Sequence, residues 1–158
     1  KAYMTAGLGD GGPCHPRDNI ALRYLAEKLD LGYDLFDTII YSREIQAKNL
    51  ANFLTSFNLP VAFYGITYKS FVPYTDGSYS LLVKHFVDQN NGESKVIDYN
   101  LGIVDEINTP HVLLISYYDE NLKNLVLPKK SVIVDPWRKY PKNSDYKVIH
   151  YGNSTNHQ

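Results

Sequence analysis

The chain has 158 residues, of which 44% are hydrophobic and 21% are charged, and its formal net charge is −1. This size and composition fit one globular domain, or one domain with an appendage. No run of lysine and arginine points to a nucleic acid or an anionic membrane surface as partner, and no apolar stretch approaches the length of a membrane span. The single cysteine excludes an internal disulfide and suits a reducing compartment, so we expect a cytoplasmic protein.

The first part of the chain is predicted to be a loop followed by two helices. Residues 1–17 are rich in glycine and proline, which favours a loop. Asp18 and Asn19 are good N-cap residues, and apolar residues at helical spacing follow over 20–29. The same spacing predicts a second, longer helix over 34–57.

From residue 61 onward, short apolar runs alternate with helical segments. This alternation predicts an α/β fold with a parallel sheet and helices on both faces. We predict the boundary between the two parts at 58–60, which gives a helical part over 1–58 and an α/β part over 59–158. The predicted strands are 61–66, 95–99, 111–118, 131–136 and 146–151, and the predicted helices are 78–91 and 119–125.

Two basic residues fall on loops that follow predicted strands. Lys69 comes after the first strand and Arg138 after the fourth. Ligands in open α/β sheets bind outside the carboxyl ends of the strands, and two cations at that edge can hold a diphosphate. Each residue alone could equally be a solvated surface charge, but their shared position favours a phosphate site. We assign no metal site.

The only cysteine, Cys14, lies in a polar, bent stretch ahead of the first predicted helix. A thiolate is a good nucleophile, and a nearby helix N-terminus or the charge of Arg17 would favour it. Asp18 could cap the helix, or it could activate a water near the sulfur. Gly11 and Gly12 would let a substrate approach backbone N–H groups closely. The alternative is an inert free cysteine, although its polar surroundings argue against the usual buried case.

Four segments resemble the UDP-glucose/GDP-mannose dehydrogenase family in the same order along the chain. GDGGPCHPRDNIALRYLAEKL resembles the family's catalytic-cysteine segment, G-G-x-C-x-P-K-D followed by a helix. VAFYGITYKSFVPYTDGSYSLL resembles the start of its C-terminal nucleotide-sugar-binding domain, V-x-G-x-x-[FY]-K and a turn before a helix. HVLLISYYDE and SVIVDPWR resemble its later strands. Together they span nearly the whole chain.

The resemblance implies a Rossmann-like C-terminal domain preceded by the end of a helical dimerisation segment. A homodimer is therefore expected. The family's NAD-binding domain is expected to be absent from this chain, because no G-x-G-x-x-G motif follows a predicted strand. The letters GLGDGG resemble that motif, but no strand is predicted before them. We therefore expect NAD to be bound mainly by the missing domain.

The activity that the resemblance implies is a double oxidation of a nucleotide sugar, which turns its 6-hydroxyl into a carboxylate for polysaccharide synthesis. Cys14 would attack the intermediate aldehyde to give a thiohemiacetal and later a thioester, a covalent route that divides a difficult reaction. Asp18 would position the water that hydrolyses the thioester. Gly11 and Gly12 would contact the substrate.

The remaining site residues are also carried over from the family. Lys69 matches the lysine that contacts the nucleotide sugar, and Arg138 would help hold its diphosphate. Arg17 stands where the family usually has lysine, so it keeps the positive charge and would lie on the cofactor side.

The chain departs from the family pattern in two places. Counted from Lys69, the family's D-x-R-E-S stretch has Tyr74 in place of the aspartate and Asp76 in place of the arginine, while Ser78 still matches. An acidic residue at that place would repel the pyrophosphate that the arginine binds in relatives. Asp10 also replaces a residue that is commonly aromatic.

Two other interpretations stay open. A non-catalytic nucleotide-binding or oligomerisation module with the same fold would explain the loss of the expected arginine, and the length of the native gene product would separate it from an enzyme. An unrelated flavodoxin-like domain with an accidental thiol would show no protection of Cys14 by a nucleotide sugar.

Overall fold

The structure is a computed structural model that describes residues 5–10, 12–142 and 145–152, so the predicted site residue Gly11 lies outside the described residues. Its elements follow the predicted order of two helices and then an α/β unit. The helices are α1 (Cys14–Lys28), α2 (Leu35–Thr55) and α3 (Tyr79–Asn91), the strands are β1 (Val61–Tyr64), β2 (Lys95–Asp98), β3 (Ile103–Val104), β4 (Val112–Ile115), β5 (Val132–Val134) and β6 (Lys147–Ile149), and a 3₁₀ turn spans Asn121–Asn124.

Side-chain caps explain where α2 and α3 begin. The Asp34 carboxylate accepts a hydrogen bond from the Asp37 N–H at 2.9 Å, and the Ser78 hydroxyl accepts one from the Leu81 N–H at 3.3 Å. Each bond satisfies a backbone donor that has no partner within the helix. The predicted helices over 34–57 and 78–91 are confirmed to within two residues at either end.

The predicted start of α1 is wrong. The helix begins at Cys14, with Pro13 as its N-cap, and Asp18 and Asn19 lie inside it. Pro16 is tolerated in the first turn, because the N–H that proline lacks would have no helical partner there. Gly9, Gly12 and Pro13 therefore precede the helix, Pro16 lies in its first turn, and Cys14 is the first helical residue.

The sheet confirms the predicted α/β class. Its six strands lie in the order β3-β2-β1-β4-β5-β6, and every neighbouring pair is parallel except β2 and β3. Strand β3 was not predicted, because it has only two residues and both are exposed. None of the helices in the described part of the chain combines the length and apolar composition that a membrane crossing requires.

The two faces of the sheet are covered differently. Both α2 and α3 pack on one face, whereas the other carries the 3₁₀ turn and loops in the described part of the chain. Helices were predicted on both faces; the α-helices α2 and α3 cover one face, and the helix predicted over 119–125 on the other is a single 3₁₀ turn, capped by Asp119, before Leu125 returns to extended backbone. The cluster on the first face includes Ala47, Leu50, Ala51, Leu54, Val61, Phe63, Val83, Val87, Val112, Leu114 and Val134, and that on the second includes Ala62, Tyr64, Ile97, Leu113, Ile115, Leu122, Leu127 and Ile133. Because α2 shares a core with the strands, the boundary at 58–60 stays a prediction.

A buried carboxylate at the end of β2 organises the loop that follows β1. Asp98 is fully buried. Its Oδ2 accepts hydrogen bonds from the Ile66 N–H at 2.7 Å, the Thr67 N–H at 2.8 Å and the Thr67 hydroxyl at 2.9 Å. Its Oδ1 accepts from the Asn100 N–H at 3.0 Å and the Tyr117 hydroxyl at 3.1 Å. One side chain thus fixes the chain at the ends of β1, β2 and β4.

We expect Asp98→Ala to lower the free energy of unfolding by at least about 3 kcal/mol, because it leaves several buried donors unpaired at about 1 kcal/mol or more each. Urea unfolding followed by circular dichroism would measure the loss. Asp76→Ala, which removes an exposed carboxylate, is the matched control and should change stability by no more than about 0.5 kcal/mol. Equal midpoints for the two variants would contradict the assigned role of Asp98.

Candidate functional site

A cavity of about 360 Å³ opens at the carboxyl edge of the sheet. It is lined by 67–69 after β1, Ser116 after β4, Trp137 after β5, 78–80 at the start of α3, and the loop 5–10. After β1 the chain continues to β2, toward one edge strand of the sheet, whereas after β4 it continues to β5, toward the opposite edge strand. The cavity therefore lies at the topological switch point, where open α/β sheets bind their ligands.

Lys69 contributes the basic side chain of this cavity. The turn that carries it is held by Asn100, whose Nδ2 donates to the Lys69 carbonyl at 3.2 Å and to the Thr67 hydroxyl at 2.8 Å. The Lys69 ammonium lies 5.3 Å from the centre of the Tyr68 ring. Within the described residues no carboxylate pairs with this ammonium, so the turn presents a cation to an incoming anion.

Gly12 lies against the same turn. It has φ +80°, and a Cβ at this position would lie 2.8 Å from a carbon of the Tyr68 ring. Only glycine combines this backbone conformation with so close an approach. The structure thus brings Gly12 next to the Lys69 turn, although the surface it approaches is the ring of Tyr68. Its contact with a substrate stays a prediction.

Cys14, Arg17 and Asp18 lie together on the first turns of α1. Cys14 is exposed at the helix N-terminus, where backbone N–H groups have no helical partner. Asp18 follows one turn later, a spacing that places two side chains on one helix face. Arg17 donates to the Asp18 carboxylate at 2.9 Å, and this bond, with a smaller contribution from Cys14, raises the pKa of Arg17. None of the three lines the cavity that contains Lys69.

Arg138 lies on a different cavity from Lys69. The turn that contains Arg138 wraps around the buried Asp135 carboxylate, which accepts backbone hydrogen bonds from Trp137, Lys139 and Tyr140 at 2.6–2.8 Å. Arg138 itself has φ +57°, and its Nη2 donates to the Gly152 carbonyl at 2.7 Å.

The Arg138 cavity has about 270 Å³, and the segment 6–9 lines both cavities. Binding of one diphosphate by Lys69 and Arg138 together therefore stays a prediction.

Sequence reasoning missed three residues of the cavity region. The Trp137 indole N–H donates to the Ser116 carbonyl at 3.2 Å, which holds the ring at the cavity wall. Tyr79 opens α3, and its burial, with the charge of Tyr151, raises the pKa of its phenol to about 12. Arg43 of α2 pairs with Asp10 of the loop. Its position in the apolar stripe of α2, four residues before Ala47, was a signal that it needed a buried partner.

Comparison with known proteins gives a consistent relationship. GDP-mannose 6-dehydrogenase from Pseudomonas putida is 35% identical over 69 residues, which are 43% of this chain and 16% of that protein, and the same enzyme from Pseudomonas savastanoi pv. phaseolicola is 33% identical over the same extent. Over these 69 residues the chain is similar to nucleotide-sugar dehydrogenases. It spans 16% of the length of these curated relatives, and a C-terminal portion of such an enzyme fits the match. No protein-family model matches the chain.

Two solved nucleotide-sugar dehydrogenases share the fold. GDP-mannose dehydrogenase from Pseudomonas aeruginosa has a TM-score of 0.68 at 19% identity, covering 92% of this chain and 41% of that one. UDP-glucose dehydrogenase from the hyperthermophilic archaeon Pyrobaculum islandicum has a TM-score of 0.68 at 19% identity, covering 90% and 37%. The resemblance seen in the sequence motifs is thus confirmed over a stretch of sequence and over nearly the whole fold.

We expect Gly12→Ala to destabilise the chain by more than Gly102→Ala. Both glycines have positive φ, so both variants should carry about 1 kcal/mol of backbone strain. Only the new methyl group at position 12 meets a neighbour, because nothing lies within 4 Å of a Cβ at Gly102. Urea unfolding of the two variants would separate the steric effect from the strain, and equal losses would show that the contact with Tyr68 is unimportant.

Proposed function

We propose that this chain is the nucleotide-sugar-binding and nucleophile-bearing part of a nucleotide-sugar 6-dehydrogenase. Such an enzyme oxidises the 6-hydroxyl of the sugar to a carboxylate. The observation that carries the proposal is the cavity at the switch point, where no carboxylate of the described residues pairs with Lys69, in a chain similar to GDP-mannose 6-dehydrogenases. An exposed free thiol suits a reducing compartment, so the proposal includes a cytoplasmic location.

The cavity offers the contacts that a nucleotide sugar requires. Lys69 would bind the diphosphate by charge-assisted hydrogen bonds. The ring of Trp137 provides an apolar wall against which a sugar or a base can lie. Hydroxyl groups of Ser78 and Ser80 lie at the start of α3, where the helix dipole favours a negative charge. Arg138 would approach the same ligand from the other side of the segment 6–9.

Cys14 and Asp18 would carry the covalent chemistry. The Cys14 thiolate attacks the carbon of a sugar aldehyde, a C–S bond forms, and the carbonyl oxygen takes up a proton to give a thiohemiacetal. After this adduct has been oxidised to a thioester, Asp18 accepts a proton from a water that attacks the same carbon. The C–S bond then breaks, the thiolate leaves, and a carboxylate remains. The spacing of one helical turn between the two side chains supports this division of roles.

Two observations on the described residues argue against NAD binding to this chain, NAD being the oxidant that we propose for the whole enzyme. Arg17, the residue expected on the cofactor side, has its guanidinium engaged by Asp18. The exposed carboxylate of Asp76 precedes α3 at the place where the family pattern has an arginine. A negative charge there disfavours a pyrophosphate. We therefore assign the binding of NAD mainly to a domain outside this chain.

The same two observations favour one alternative, a non-catalytic module that binds a nucleotide sugar. In that case the cavity would bind the ligand, but Cys14 would not react with a sugar aldehyde. Both proposals share the cavity, so binding alone does not separate them.

We expect isothermal titration calorimetry of the 158-residue chain with UDP-glucose, UDP and GDP-mannose to show binding of one of these ligands. Lys69→Ala should weaken that binding at least about tenfold, because it removes a charge-assisted contact to phosphate. Lys129→Ala, which removes a lysine ahead of β5 at the opposite edge of the sheet, is the matched control and should leave the affinity unchanged.

The absence of heat with all three ligands would contradict the assignment of the cavity. Binding that Lys69→Ala leaves intact would place the diphosphate elsewhere. To separate enzyme from module, the chain is treated with an aldehyde analogue of the bound nucleotide sugar. A mass increase at Cys14 supports the enzyme, and an unmodified thiol supports the module.

We also propose that the chain forms a homodimer through α1 and the first half of α2. Ala26 is the buried residue of α1, and large apolar side chains are exposed on both helices. A high density of large exposed apolar side chains along two packed helices favours an interaction surface. The exposed residues are Ile20, Leu22, Tyr24, Leu25, Leu29, Leu31, Tyr33, Leu35, Ile39, Tyr41 and Ile45.

We expect sedimentation velocity of the wild-type chain to give the mass of a dimer. The double variant Leu25→Glu/Leu29→Glu should give the mass of a monomer, because association would bury charges without partners. Val126→Glu changes an apolar residue that is 82% exposed elsewhere on the surface, so it serves as the control and should remain dimeric. A wild-type chain that stays monomeric would contradict this interface.

A further inference from the structure

A half-buried ion pair connects α2 to the loop that leads to Cys14. The Arg43 Nε donates to the Asp10 Oδ1 at 2.7 Å, and the two side chains are 18% and 30% exposed. The partners are 33 residues apart in the sequence, so the pair is a tertiary contact between the loop and α2. We call the described residues 5–10, 12 and 13 the cysteine loop.

Arg43 also binds the turn that opens α3. Its Nη2 donates to the Gly77 carbonyl at 3.3 Å, and its guanidinium carbon lies 5.5 Å from the centre of the Tyr79 ring. The planar guanidinium thus binds a carboxylate, a carbonyl and an aromatic ring at once, a combination that lysine cannot reproduce. Arg43 thus connects α2, to which it belongs, with both the cysteine loop and the start of α3.

The cysteine loop is in direct contact with this turn. Gly77 has φ +69°, and a Cβ there would lie 2.5 Å from the Gly12 carbonyl oxygen and 2.6 Å from the Pro13 Cα. The backbone just before Cys14 is therefore pressed against the residue whose carbonyl Arg43 binds. A glycine-rich loop loses much conformational entropy when it is fixed in this way. The ion pair is an interaction that offsets this cost.

Arg43 has an electrostatic effect as well. Asp10 lines the same cavity as Lys69. Without a partner, its negative charge would disfavour a phosphate at that place. Because Arg43 pairs with Asp10, the charge left in the cavity is that of Lys69.

We propose that Arg43 is a positioning residue: through Asp10 and the Gly77 carbonyl it holds the cysteine loop on the start of α3, and so places Cys14 beside the nucleotide-sugar cavity. The identity of the ligand in this inference rests on the proposed function, whereas the contact by which Arg43 holds the loop does not depend on it. A merely stabilising ion pair would not affect how a bound ligand shields Cys14. A positioning role predicts that the bound ligand no longer shields Cys14 once the pair is lost.

The test uses the paired variant Asp10→Asn/Arg43→Gln, which removes the ion pair without changing the net charge beside Lys69. The matched control is Lys84→Gln/Asp88→Asn. It removes an ion pair of 2.6 Å with similar exposure, 16% and 32%, within α3. Amide hydrogen exchange over residues 5–13 reports the loop, and the rate at which iodoacetamide alkylates Cys14, the chain's single cysteine, reports its coupling to a bound nucleotide sugar.

We expect exchange over 5–13 to be about tenfold faster in Asp10→Asn/Arg43→Gln than in the wild type, and unchanged in the control pair. The nucleotide sugar that binds in calorimetry should slow alkylation of wild-type Cys14 and of the control. In Asp10→Asn/Arg43→Gln, with the same nucleotide sugar added to saturation as judged by calorimetry, this protection of Cys14 should be lost.

Unchanged exchange in the paired variant, or protection that survives in it, would overturn the inference. A variant that fails to fold would be replaced by Asp10→Asn alone, for which the same exchange result is expected. If wild-type Cys14 gains no protection from any of the three nucleotides while exchange still responds to the pair, the proposed ligand is wrong and the holding role of Arg43 stands.

Discussion

The site depends on two buried carboxylates at the carboxyl edge of the sheet. Where parallel strands end, backbone N–H groups lose their partners, and burying them unpaired is costly. Asp98 satisfies those after β1 and β2, and Asp135 satisfies those after β5. The loops that carry Lys69 and Arg138 are consequently wrapped around fixed acceptors.

The coarse fold could be predicted because its signals are local. Short apolar runs mark buried parallel strands, and Asp34 and Ser78 mark the starts of α2 and α3. The start of α1 could not be predicted in the same way, because proline is read as a breaker but is compatible with a first helical turn. Strand β3, Ile103–Val104, pairs through its backbone, and two residues are too few to give a periodic pattern in the sequence.

The places of several candidate residues along the elements could be predicted, but their geometry relative to one another could not. Lys69 does lie at the sheet edge, and Cys14 and Asp18 do lie close to one another. The separation of Arg138 from Lys69 depends on the turn around Asp135 and on the segment 6–9, which comes from a distant part of the chain. Contacts of this kind arise from tertiary structure and have no signature in spacing.

Arg43 shows what a local pattern can still reveal about a distant contact. Its position continues the stripe of α2 that buries Ala47, Leu50 and Leu54, so an arginine there faces inward. An inward guanidinium requires a partner, and the departure of Asp10 from the aromatic residue common in the family supplies one. The two unusual residues are thus explained together. The same pair neutralises an acidic residue beside Lys69 and lies in the loop before Cys14. We therefore propose that one interaction influences both the charge of the cavity and the placement of Cys14.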